Sequence, residues 1–101
     1  MRLPENYIEF SKTLKKEVPE SFWPVALKSL WYDAKGDWHG AHEIVDGMRD
    51  DIAKWVHAYL HRKEGDDWNA RYWYRQAGKI FPSNTLEEEH QEIVEFILKS
   101  F

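Results

Sequence analysis

Three histidines raise the first chemical question. His57 and His61 stand four residues apart, so on a helix their rings share one face. Neutral imidazoles at this spacing hold a divalent metal such as zinc, which then wants a third or fourth ligand from a carboxylate or another histidine. His42, one segment earlier, is the third candidate metal ligand, and Glu43, Glu64 and Asp66 are nearby oxygen donors. The pattern is not the H-E-x-x-H of zinc proteases. Histidine also suits acid–base work near neutral pH. No nucleophile or phosphate-binding loop accompanies these residues, which leaves an enzyme with little to build on. The competing expectation is structural: half-exposed rings hydrogen-bonded to their neighbours.

Asp66, Asn69 and Tyr72 are the expected partners in a polar, ligand-binding recess with His57 and His61. Tyr72, Trp73 and Tyr74 are consecutive, so a helix cannot turn all three the same way. Trp73 and Tyr74 are expected in the core with Ala70 and Ala77, and Tyr72 toward solvent or the recess. Arg62, Arg71 and Arg75 read as a solvated basic edge. Glu87, Glu88 and Glu89 fall in the first turn of the last helix, where negative charge complements the helix dipole.

Elements must position these side chains, and composition limits which elements are available. The chain has 101 residues, 43% hydrophobic and 32% charged, with six Trp and no Cys. One globular domain, 1–101, fits that length and balance. The aromatic share of 16% supplies large contact areas to a small core. Without Cys, disulfides and thiolate zinc sites are excluded. A net charge of −4 argues against nucleic acid or anionic lipid as partner. No secretory signal or membrane-length apolar run is apparent, so the expected location is the cytoplasm.

Breakers and capping residues divide the chain into five to six helices. The first is expected from Pro4 or Glu5 to about Glu17, with Tyr7, Phe10 and Leu14 on one face. Pro24 opens the second, which carries Leu27, Leu30 and Trp31 and ends at Gly36. Asp37 caps the third, with Trp38, Ala41, Ile44, Val45 and Met48. Asp50 or Asp51 begins the fourth, with Trp55, Val56, Tyr59 and Leu60, and Gly65 ends it. Asp66 or Asp67 caps the fifth, expected to pack Trp68, Ala70, Trp73 and Tyr74. T-L-E-E at 85–88 is a capping box that starts the last helix, whose stripe is Leu86, His90, Ile93, Val94 and Ile97. Short connections favour antiparallel neighbours.

The chain also echoes itself. AKGDWHGAHEIV and KEGDDWNARYWY both read helix end, Gly-Asp, helix start, with an Ala five residues past the Gly; Gly36 and Gly65 are 29 positions apart. Such an echo marks stacked helical hairpins. Ala58, Gly65, Asp66, Ala70, Tyr74, Ala77 and Pro82 stand in the order and spacing of a tetratricopeptide repeat, and residues 22–82 resemble that family. Its period is about 34 residues, so the first unit departs from the pattern. In that register His57 falls where a leucine normally packs. A second resemblance, carried by WVHAYLHRKEGD and NARYWYRQAG across 36–79, is to a family of small uncharacterised bacterial proteins and implies no activity.

The expectation is therefore an all-α domain: a tetratricopeptide-like right-handed hairpin stack, units about 22–50 and 51–82, with the first and last helices as caps. Its leading function is a binding or scaffolding module that recognises a peptide, a protein partner or a small polar ligand through the face bearing the histidines. The alternative is a small metal-binding protein or enzyme using His42, His57 and His61. A homodimer that covers an apolar end of the stack is the third expectation.

Overall fold

Capping side chains cut the chain into six α-helices in the computed structural model, which describes residues 2–101. These are α1 (Tyr7–Lys12), α2 (Val25–Ala34), α3 (Trp38–Val45), α4 (Asp51–Lys63), α5 (Asp67–Gln76) and α6 (Leu86–Ser100). A 3-10 turn, Thr13–Lys15, follows α1, and the described residues contain no strand. The protein is all-α. No described helix is long and apolar enough to cross a membrane.

The two Gly-Asp turns solve one problem in one way. Gly36 and Gly65 have φ of +89° and +87°, a region closed to most residues with a Cβ. That backbone lets the next N–H turn back: Asp37 N–H donates to the Tyr32 carbonyl at 2.9 Å, and Asp66 N–H to the His61 carbonyl at 2.9 Å. Each Asp then caps the next helix, its carboxylate accepting from Gly40 N in one case and Asn69 N in the other. One residue thus closes a helix and opens its partner, so the connection is three residues long. The structure draws α2 against α3 and α4 against α5 as its most extensive helix pairs. Gly65→Ala is expected to lose about 1–2 kcal/mol through the strained backbone, read as a lowered midpoint in denaturant unfolding.

Two expectations about helix boundaries and faces need correction. The first helix begins at Tyr7 and not at Pro4, because the Asn6 side chain accepts from Glu9 N while Glu9 reaches back to Glu5 N. It also ends early: the Thr13 hydroxyl donates to the Phe10 carbonyl and tightens the chain into the 3-10 turn. Trp68 is not packed but 80% exposed. It shares a solvent-facing side of α5 with Tyr72, one turn on.

The core joins all six helices through Phe10, Leu27, Trp31, Val45, Val56, Tyr59, Tyr74 and Ile93. Two buried carboxylates then clamp the end of α4, the segment that carries the histidines. Glu89, expected to serve only the helix dipole, is 1% exposed. It accepts from Trp55 Nε1, Tyr74 OH and the Arg62 guanidinium at 3.1, 2.6 and 2.8 Å, tying α4 and α5 to α6. Arg62 also donates to the Asn84 carbonyl. Asp33 on α2 accepts from Tyr59 OH and from Lys63 Nζ, each at 2.8 Å. Beside it, His90 must carry its proton on Nε2, which faces the Leu30 carbonyl, so Nδ1 accepts from Tyr7 OH at 2.8 Å.

Candidate metal centre

His42 lies on α3, and His57 and His61 lie on α4. One histidine from a helix opened by Asp37 and two from one face of α4 converge where these helices pack. His42 Nε2 and His57 Nε2 are 3.0 Å apart. One ring nitrogen from each of the three histidines lies within 4.8 Å of the others. His57 is 3% exposed; His42 and His61 are half-buried.

Two indoles wall the cluster. Trp38 stacks on His42, with centroids 5.0 Å apart and planes 11° apart. Trp73, from α5, stacks on His57 at 4.1 Å and 14°. Trp38 is itself fixed, because its Nε1 donates to the Leu60 carbonyl at 2.7 Å. The expectation that Trp73 is core material is met only in part: one face of its ring covers a histidine.

Burial and the neighbouring imidazoles favour the neutral forms of His57 and His42. Burial is the first cause and the charges of His42 and His61 the next, and together they lower the His57 pKa from 6.5 to about 4. The His42 pKa is lowered as well, first by burial and then by His61, against a smaller opposing pull from Asp46 and Glu64. Uncharged imidazoles are the ligating form. With both Nε2 atoms facing each other, one must donate and the other accept.

His61 has a separate partner. Its Nδ1 sits 2.7 Å from a Glu64 carboxylate oxygen. A carboxylate only accepts, so Nδ1 carries a proton, and in the neutral ring Nε2 then holds the lone pair. That arrangement, a carboxylate orienting a histidine whose other nitrogen is free, is the usual support for a metal ligand. His61, Glu64 and Asp66 also form a second set of neighbouring donor atoms.

No protein-family profile, curated protein or solved structure matches this chain. The chemistry of the site therefore rests on its own geometry.

The structure brings His42, His57 and His61 together and keeps Asp66 beside His61 in the second donor set, while Asn69 and Tyr72 make contacts of their own. Asp66 caps α5, and its second oxygen accepts from the Asn69 side chain at 2.6 Å. Asn69 is thus occupied by Asp66 and not by an imidazole. Tyr72 packs edge-on against Trp73 at 5.2 Å, one ring removed from His57. Trp38 was not expected as a wall, and Glu64 was expected as an oxygen donor to a metal and not as the hydrogen-bond partner of His61. The i, i+3 spacing of His61 and Glu64 and the i, i+4 spacing of Trp38 and His42 were the available signals.

Proposed function

We infer that this protein binds a divalent metal of the zinc class through His42, His57 and His61. The carrying observation is the set of three ring nitrogens within 4.8 Å, two of them 3.0 Å apart. Zinc–nitrogen bonds of about 2.0–2.1 Å place tetrahedral donors about 3.3 Å apart. The His42–His57 pair already has nearly that spacing, and His61 reaches it by a side-chain adjustment. On binding, the proton between the two Nε2 atoms moves to an Nδ1, so neutral imidazoles need not release it. All-nitrogen donor sets also suit copper and nickel, so the assignment is to the class and not to one element.

The test is elemental analysis of untagged protein, followed by calorimetric titration of the metal-free chain with zinc. One equivalent is expected. His57→Ala is expected to weaken binding at least about 100-fold, more than the loss of an outer-shell partner does, while far-ultraviolet circular dichroism stays helical. Wild-type protein that takes up no metal removes the reading. Glu64→Ala is expected to lose about 10–100-fold in affinity, because His61 is then free to turn or change tautomer. Titration of that variant with zinc checks it.

A second reading has its own observation. Trp68 is 80% and Tyr72 43% exposed, side by side on α5 next to Trp73. Two adjacent exposed rings favour recognition of a peptide or protein partner alongside the metal site. A partner recovered from cells by the wild type and equally by Trp68→Ala with Tyr72→Ala would count against it.

A further inference from the structure

We propose that a metal held by His42, His57 and His61 leaves its fourth position to a small monodentate anion or water, making the site an open Lewis-acid centre and not a staple of the fold. This rests on the metal-binding reading above and adds what the metal would be for.

The donor set is the first argument. Among the described residues the group contains three histidines and no fourth ligand. Nearby carboxylates are engaged. Glu64 holds His61 Nδ1 at 2.7 Å. Asp66 accepts from the backbone and side chain of Asn69. Glu43 pairs with His39 at 3.4 Å, outside the cluster. Asp46 alone remains; it ends α3, exposed, and its charge is felt by His42 and His57. Structural zinc sites are closed by four protein ligands, whereas reactive ones keep three and an open position.

The fold also has an apolar core of its own. Structural zinc replaces a core in domains too small to build one. Here nineteen buried hydrophobic side chains form a continuous cluster. No buried side-chain polar atom among the described residues lacks a partner. Trp38 and Trp73 wall two of the imidazoles with apolar surface, and a poorly hydrated surround strengthens the attraction between a cation and an incoming anion. His42 and His61 are less buried than His57, the His61 side chain being 12% exposed, and they mark the side that remains accessible.

Cobalt(II) serves as the probe, since its visible absorption reports coordination. The metal-free chain is expected to show helical circular dichroism and a cooperative melt. The cobalt-loaded chain is expected to change its visible spectrum saturably as sodium azide is added, and Asp46→Ala is expected to keep that response. A spectrum indifferent to azide overturns the proposal. So does a response that appears only in Asp46→Ala, because Asp46 then fills the fourth position. An unfolded metal-free chain overturns it too, by making the metal a staple. A chain that takes up no cobalt removes the metal-binding reading itself, and this inference with it; binding without an azide response removes only the inference.

Discussion

Glu89→Ala is expected to cost about 3–5 kcal/mol of folding stability, the range for breaking a buried ion pair from one side. The carboxylate accepts from Arg62, Trp55 and Tyr74, and each donor comes from a different part of α4 or α5. Removing the acceptor strands an Arg62 side chain that is 14% exposed, together with two aromatic donors that lose their partner. An unmet buried donor costs about 1–3 kcal/mol by itself. For a domain of this size a loss of that order lowers the melting temperature by more than about 10 °C. Thermal and urea unfolding measure it. Glu89→Gln keeps the shape but withdraws the charge and one acceptor atom, and a smaller loss is expected. A Glu89→Ala loss below about 1 kcal/mol would show that the clamp contributes no more than a surface pair.

The second large effect is acid lability of the metal-free protein. The His57 pKa in the folded chain is about 4, below its ordinary 6.5. Below pH 6.5 the unfolded chain therefore binds a proton that the folded chain refuses. Stability is full above that value, falls as pH drops toward 4, and then levels off where both states are protonated. A tenfold difference in proton affinity between the two states is worth about 1.4 kcal/mol, so the fall from this one group is up to about 3 kcal/mol. His42 and His90, both also lowered chiefly by burial, act in the same direction. Urea midpoints measured between pH 7.5 and 4 should trace the decline, and His57→Leu should flatten part of its slope whatever its own stability. A flat profile in the wild type across that window would refute the assignment.

What sequence could and could not disclose follows from the range of the forces involved. Asp37, Asp50, Asp66 and Thr85 cap their helices as their local spacing predicts, because a cap involves residues three positions apart. Asn6 was hidden behind Pro4, a strong local signal that proved to lie outside the helix. The convergence of three histidines was legible as an expectation from one helical spacing and one repeat. Their indole walls were not, because Trp73 meets His57 only once α5 lies on α4. The burial of Glu89 and Asp33 was least legible of all. Glu89 stands three residues after Leu86 and four before Ile93, on the apolar stripe, but the partners that let a carboxylate be buried there lie 15 to 34 residues away. Trp68 shows the converse: a large ring on a short amphipathic helix was assigned inward by type, and the register of α5 turned it out.

The Gly-Asp hairpins have one more consequence. His42 rides on the α2–α3 pair, and His57 and His61 ride on the α4–α5 pair. An ion bound among them would bridge two units joined by the five-residue link 46–50. Affinity and inter-hairpin angle would then be reciprocally linked: a partner that levers the pairs apart loosens the ion, and occupancy stiffens the joint by the same free energy.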